Sequence, residues 1–462
     1  MRRAADTRFG REHGFPGIGR ISEYQRRVRL RDFATLQAEY LAADFPVLDN
    51  LLWPGRIPRF ANTSGSTGGP TKRIPVSWAM MRANQLAARD VLAWHLAHNP
   101  HSRILAAPQL ALGGSTALER LAPGVKAGDL SGIAAAALPF WAAHAFLPPP
   151  RLARLEDWAE KMARLARLTV GRPLGSISGT ASWMLLFFET AGALHPGASL
   201  ATLFPGLELL VHGGVGFAPY REGFAHWIDG APIATREVFA ASEGFFAVAD
   251  GADGEGLRLI LDRGVFYEFV PPSELAAGTP ERRWIGDAEL GADYALVLST
   301  AAGLWSYVIG DTVRLVCRNP PRLLITGRTA WMLSVAGEHV TAEEMDVATS
   351  AVAARLGRRV VEYAASALPP EPGEPRGGHL FVLELDGPAE AESFAAALDA
   401  ALARGNADYA AHRAGGYGLR APVVRLVPPG RFARWMARRG KLGAQHKVAR
   451  VMPRALLESL LQ

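Results

Sequence analysis

The apolar positions follow two rhythms along the chain. Leu152, Leu155, Met162 and Leu165 recur at helical spacing and predict one amphipathic helix over 152–168. Ser77 precedes a longer helical pattern and is expected to cap a helix over 78–97. Residues 20–45 read as polar helix, and an apolar helix over 183–193 is expected after a turn at 176–179. Short apolar runs that stop at glycine or polar residues predict strands: 103–112, 207–211, one ending at 240, then 294–298, 305–309 and 312–317. Runs 257–261 and 265–270 flank Asp262-Arg263-Gly264 and are expected to pair as a hairpin.

A boundary is expected at 326–329, and the pattern changes beyond it. Thr341 and Glu344 form a capping box for a helix to about 356. Strands at 360–365 and 380–385 and a helix over 389–403 complete a compact unit, with an exposed turn at 369–378. The expected fold class is α/β. A large N-terminal domain (1–326) carries mixed sheets and β-hairpins, and a small mobile α+β C-terminal domain follows (327–462).

Composition narrows the function classes. With 462 residues and 49% hydrophobic content the chain can bury a large core in more than one domain. The net charge of +6 is modest for this length, and no basic block is interleaved with aromatics, so no nucleic acid partner is expected. Arg26, Arg27, Arg29 and Arg31 form the densest basic run and are expected on a solvated face. Segment 130–147 has no formal charge but contains Ser131, Gly132, Pro139 and His144. It reads as a buried or pocket-lining segment, and no membrane insertion is expected. Residues 1–8 contain no apolar run that would read as a signal peptide. Cys317 is the single cysteine, which excludes an intramolecular disulfide and fits a reducing, cytoplasmic setting; it is expected as a small core residue. His95, His98 and His101 recur by three without nearby cysteine or paired acids, so a solvated helix face and a turn explain them better than a metal.

The stretch Thr63-Ser64-Gly65-Ser66-Thr67-Gly68-Gly69-Pro70-Thr71-Lys72 is the most specific chemistry in the chain. Glycine lets backbone N–H groups approach an anion, hydroxyls add donors, and Lys72 adds a full charge, a combination suited to polyphosphate. The ordinary P-loop spacing is absent, since Pro70 and Thr71 precede the lysine and Arg73 follows. Of the 50 Lys and Arg residues only five are lysine: Lys72, Lys126, Lys161, Lys441 and Lys447. A lysine kept where arginine is the rule points to a need for a compact ammonium, and Lys72, Lys441 and Lys447 all lie in motif-like segments. Lys161 is expected as an ordinary surface residue of its helix, and Lys126 is left open. No Gly-x-Ser-x-Gly occurs, which argues against an α/β-hydrolase.

Three expected strands end in His212-Gly213-Gly214-Val215, Ala241-Ser242-Glu243-Gly244 and Ile309-Gly310-Asp311-Thr312, and ligands gather at the carboxyl ends of strands in α/β sheets. This ordered series resembles the auxin-responsive (Gretchen Hagen) family of acyl-acid amido synthetases, a branch of the adenylate-forming superfamily, and is similar to its shorter bacterial members. The residues that carry the resemblance also include Leu52-Trp53-Pro54-Gly55, the Thr63–Gly68 loop, Ser176-Ile177-Ser178-Gly179 with Trp183, Thr326-Gly327-Arg328-Thr329, and Arg439-Gly440-Lys441-Leu442-Gly443-Ala444-Gln445-His446-Lys447-Val448. It covers nearly the whole chain. It departs before Thr7–Gly10, where the family usually carries another helix and this chain looks short, and at His339, where related sequences often have lysine.

The resemblance implies ATP and Mg²⁺ as cofactors, with a small carboxylic acid and an amine or amino acid as partners. Ser64, Gly65, Ser66, Thr67, Gly68 and Lys72 would hold the β,γ-phosphates. Gly213 and Gly214 would let adenine lie on the backbone beside Ala241 and Ser242. Glu243 would ligate Mg²⁺, Asp311 would accept both ribose hydroxyls, and Arg328 would bind ribose or phosphate at the hinge. Segments 130–141 and 176–183, with Ser178 and Trp183 in the latter, would form the acyl pocket together with Val215. Lys447 would stabilise charge on the α-phosphate as the carboxylate attacks, with Lys441 its rival. The expected reaction is adenylation of a carboxylic acid followed by amide formation, the small domain rotating between steps. The alternatives are a thioester-forming ligase using CoA or a carrier protein, and a nucleotide-binding protein without turnover. The joint presence of Glu243, Asp311, Arg328 and Lys447 argues against the latter.

Overall fold

The computed structural model describes residues 1–462 except 64–71, 139–144, 156, 215–216, 218–219, 252–253, 276–278, 329–332, 334, 336–339, 369–375, 414–418 and 441–446, and the backbone alone at 328, 407, 408 and 411. Among the described residues one 12-stranded sheet dominates. Its order is Arg283–Trp284, Val265–Val270, Asp293–Thr300, Tyr307–Arg318, Pro321–Arg328, Leu257–Leu259, Gly244–Val248, Ala234–Ala241, Leu209–Gly213, Ser176–Gly179, Gln109–Leu112 and Phe146–Leu147. The last five run parallel, joined through helices that include Trp158–Thr169 and Ala181–Gly192, as parallel pairing requires a crossover. Gly244–Val248 turns back antiparallel on Ala234–Ala241, and the strands beyond it continue antiparallel.

Several expectations are corrected here. Strands Leu257–Leu259 and Val265–Val270 form, but not as a hairpin: Leu257 pairs Leu323 and Val265 pairs Thr300, with three strands between them. The intervening turn is a corner, tied down by Arg263 on Asp90 at 3.0 Å and by the Ala301 N–H on the Gly264 carbonyl. Segment 152–168 is two helices, Pro150–Ala153 and Trp158–Thr169, because Asp157 accepts from the Glu160 N–H and starts a new helix there. Residues Ser176–Gly179 are a strand paired on both sides, not a turn. In 103–112 only Gln109–Leu112 is strand, after a 3₁₀ turn at Ile104–Ala106. Arg31 is buried, its guanidinium over Phe9 and Tyr40 and its Nε on Glu39, so the basic run is not uniformly solvated. The Ser77 cap appears as expected, with Ser77 Oγ accepting from Met80 N–H ahead of Trp78–His98.

The chain folds as two compact units. The first holds Met1–Gly65, Pro70–Gly214 and Ala231–Leu324; the second holds Val215–Gly230 and Ile325–Gln462. In the second unit Gly378–Leu385 is the middle strand, antiparallel to Val360–Leu368 and parallel to Val423–Val427. Every residue of that strand is buried, because both of its faces are covered. Phe381, Leu383 and Leu385 pack under helices Ala342–Arg355 and Ala391–Gly405, whereas Leu380 and Val382 meet Phe432, Trp435 and Leu457. The capping box holds: Thr341 Oγ1 accepts from Glu344 N–H, and the Glu344 carboxylate accepts from Thr341 N–H at 2.8 Å.

Candidate active site

Four neighbouring parallel strands end along one edge of the large sheet, and each end carries small or polar residues. Gln109–Leu112 leads into Gly113 and Gly114, Ser176–Gly179 ends on Ser178 and Gly179, Leu209–Gly213 on Gly213 and Gly214, and Ala234–Ala241 on Ser242 and Glu243. This is the edge at which α/β sheets bind ligands.

Ser242 and Glu243 are the two turn residues of a tight hairpin, since Ala241 pairs directly with Gly244. Hairpin tips normally sit in solvent. Here Glu243 is buried, at 8% exposure, and Tyr307 O–H donates to its Oε1 at 3.4 Å. Tyr307 opens the Tyr307–Arg318 strand and is itself held by Arg31, which pairs across it: the Arg31 N–H donates to Ser306 and the Val308 N–H to Arg31. Sequence reasoning missed Tyr307, although it stands only four residues before Asp311.

Asp311 does not end a strand. The expected strands 305–309 and 312–317 are one continuous strand, Tyr307–Arg318, and Asp311 lies within it. Ala295 pairs Thr312 and Val297 pairs Val308, so Ile309, Gly310 and Asp311 stand against the single Leu296. Gly310 takes φ +92°, a conformation that favours glycine. The bulge turns Asp311 out of the ladder and leaves it half-buried, a use of bulges that recurs beside functional sites.

At Gly213 a Cβ would lie 2.3 Å from the Val238 carbonyl oxygen, so this glycine is required by close packing of its own strand on Ala234–Ala241. Gly214 follows at φ +84°. Strands Arg59–Thr63 and Lys72–Val76 are antiparallel with Thr63 opposite Lys72, which fixes both ends of the Ser/Thr/Gly connection. Lys72 Nζ stands 5.7 Å from the centre of the Phe33 ring. Ser178 Oγ donates to the Leu110 carbonyl at 3.3 Å, and Trp183 is buried edge-on against Trp158 with ring centres 4.8 Å apart. Residues Ser64, Gly65, Ser66, Thr67, Gly68 and Val215, the rival Lys441, and the side chain of Arg328 lie outside the described residues. Lys447 is exposed, in the second unit, at the start of a stretch with neither helix nor strand.

Lys161 corrects an expectation outright. It is buried at 1% exposure, and its ammonium donates to the carbonyls of Gly114 (2.8 Å), Gly113 (3.0 Å) and Ala153 (3.2 Å). Loss of hydration brings its pKa down to about 8, against a smaller upward pull from Asp129. It thereby fixes the loop after Gln109–Leu112. His95 is likewise buried and meets Glu208 at 3.3 Å, rather than lying on a solvated face. Among the described residues no cluster of three or more His, Cys, Asp or Glu could hold a metal, and no helix is long and apolar enough to cross a membrane.

Three family models match the chain in order: the GH3 family N-terminal domain over residues 1–107, the central domain over 258–328 and the C-terminal domain over 343–455, together more than half of its length. The chain belongs to the GH3 family. An indole-3-acetic acid-amido synthetase, GH3.3 of Arabidopsis thaliana, is 27% identical over 165 residues, which is 34% of this chain and 27% of that protein. This chain thus matches about a quarter of the length of the curated GH3 relatives. The solved GH3.15 acyl acid amido synthetase superposes with TM-score 0.77 at 15% identity over 99% of this chain and 91% of its own. A 2-hydroxyisobutyryl-CoA ligase in its postadenylation state gives 0.62 at 16% identity over 98% and 86%. The fold is therefore shared with these two solved enzymes, a large N-terminal α/β domain with a smaller C-terminal domain, as expected.

Proposed function

We propose that this GH3 protein adenylates a small carboxylic acid with ATP and passes the acyl group to an amine, an amino acid by preference, to form an amide. The observation that carries this reading is the ordered match of three GH3 domain models together with a buried glutamate at the hairpin tip beside the sheet's ligand edge. The acid substrate attacks the α-phosphorus of ATP, pyrophosphate leaves, and the acyl adenylate then presents a far better leaving group to the amine than the free carboxylate would. No protein nucleophile is required.

In this reading Asp311 accepts from the ribose hydroxyls, and Gly213, Gly214, Ala241 and Ser242 line the adenine. Ser64, Gly65, Ser66, Thr67, Gly68 and Lys72 cradle the outer phosphates, and Arg328 binds ribose or phosphate. Lys447 supplies positive charge where the α-phosphate becomes most negative. Ser178, Trp183 and Val215 belong to the acyl pocket, with the Lys161-pinned loop as a neighbour along the strand order. The chemistry of Glu243 fits Mg²⁺ as one hard oxygen ligand shared with phosphate oxygens and water, which is how that ion is usually held. When bound, the metal neutralises phosphate charge.

The test is a panel of carboxylic acids assayed for ATP-dependent pyrophosphate release. The active acid should support release in the wild type. Glu243→Gln should keep the fold and raise the Mg²⁺ concentration needed for half-maximal rate, because an amide is a weaker ligand for a hard cation. An unchanged Mg²⁺ curve would remove Glu243 from the metal role. Pyrophosphate release from no acid in a broad panel would count against adenylation itself.

A further inference from the structure

The stretch from Lys447 to Arg450 forms no helix or strand. Val448 and Ala449 pack against the core that holds Phe432 and Trp435. Arg450 then enters the protein completely. Its Nε donates to Asp346 Oδ1 at 3.0 Å, one Nη to Glu362 and to the Tyr363 carbonyl, and the other Nη to Tyr220 O–H at 3.2 Å. The guanidinium lies 4.3 Å from the centre of the Tyr363 ring. Tyr363 O–H donates to the same Asp346 oxygen at 2.6 Å, and Tyr220 O–H donates to Glu362 at 3.3 Å. One cation thus faces two carboxylates and two phenols with every one of its nitrogens engaged. Burial pushes the Asp346 carboxyl up, against the pull of Arg450. The backbone is pinned as well: the Ala365 N–H donates to the Arg450 carbonyl and the Met452 N–H to Ala365.

Tyr220 is the unusual member. It immediately precedes the helix Arg221–Ile228, in a segment that belongs to the second unit although the chain on both sides of it belongs to the first. That segment begins directly after Gly213 and Gly214 in sequence. Arg450 stands only three residues after Lys447, at most about 11 Å of extended chain.

We propose that Arg450 is a positioning residue for Lys447 and that Tyr220 completes its seat, so that the segment following the adenine-facing glycines helps to place the lysine that acts on the α-phosphate. This rests on the adenylation reading above. Lys447 serves only the first half-reaction in that reading. A defect in its seat should therefore slow adenylation and spare the attack of amine on acyl adenylate.

The test uses the full chain carrying Tyr220→Phe, which keeps the ring and removes only the hydroxyl, beside Arg450→Lys. Tyr220→Phe should lower kcat of ATP–pyrophosphate exchange about tenfold, the order expected for losing a hydrogen bond to a charged partner. Its KM for ATP and its rate of amide formation from synthetic acyl adenylate should stay within about twofold of wild type. Hydrogen exchange followed by mass spectrometry, which needs no turnover, should show faster exchange in the peptide spanning Lys447 to Met452 and unchanged exchange in helix Ala342–Arg355. Arg450→Lys should go further in the same direction. Equal losses in both half-reactions, or unchanged exchange over Lys447 to Met452 in Tyr220→Phe, would overturn the inference. Wild-type inactivity with every acid would refute the adenylation reading, while the exchange measurement would still decide the seat.

Discussion

Two lysines define the account at the scale of single residues. Lys447→Ala should leave ATP binding nearly intact and lower the adenylation rate about a hundredfold or more, since the loss falls on charge developed in the transition state. Pyrophosphate exchange measured at saturating ATP checks this; a near-wild-type rate would move the role elsewhere. Lys161 makes a different prediction. Its folded pKa is about 8, against an ordinary value of 10.5. Between those limits the unfolded chain binds more protons than the native one, so the contribution of Lys161 to stability grows as pH rises through that window. Wild type should therefore gain on Lys161→Met from pH 8 to about 10.5 in denaturant midpoints, and a constant gap would contradict the assignment. The burial of Lys161 was not legible in the sequence, because helical periodicity locates a face but not the carbonyls that another loop brings to it. The scarcity of lysine in this chain, already applied to Lys72 and Lys447, applied to Lys161 as well.

Elements with local signals read correctly. The Ser77 cap, the Thr341–Glu344 box and the strands around Gly378–Leu385 each follow from a few neighbouring residues. The break at Asp157 was a local cap that helical periodicity overran, whereas the failed hairpin depended on partners far along the chain. Leu257–Leu259 and Val265–Val270 have a sound hairpin turn between them, yet each finds a better partner in the Pro321–Arg328 and Asp293–Thr300 strands. The break expected at Gly310-Asp311 is a bulge, which one sequence pattern cannot separate from a strand end. Gly310→Ala tests it. Alanine at φ +92° should cost about 1–2 kcal/mol. It should also weaken ATP binding by disturbing Asp311. Denaturation together with nucleotide titration checks both. A neutral substitution in both would mean that the bulge neither needs glycine nor serves the nucleotide.

At the scale of the whole molecule, the alternation of strand ends and glycines along the chain was readable because each motif is local, whereas the arrangement of its members is a property of the sheet. The parallel half of the large sheet aligns Gly113, Gly179, Gly213 and Glu243 along one edge. The antiparallel half brings Tyr307 to Glu243. The same fold carries both an amido synthetase and a CoA ligase among its solved relatives, so the fold alone does not choose the acceptor. Orientation of the incoming nucleophile decides it, and orientation can supply several kcal/mol of a barrier.

The measurement that bears most directly on the central claim is mass spectrometry of the complete reaction, run with the acid found active, ATP and Mg²⁺, and either the common amino acids or CoA. The expected products are AMP, pyrophosphate and an acyl amide, with AMP release accelerated by the amino acid and not by CoA. An acyl-CoA with no amide from any of the amino acids would contradict it.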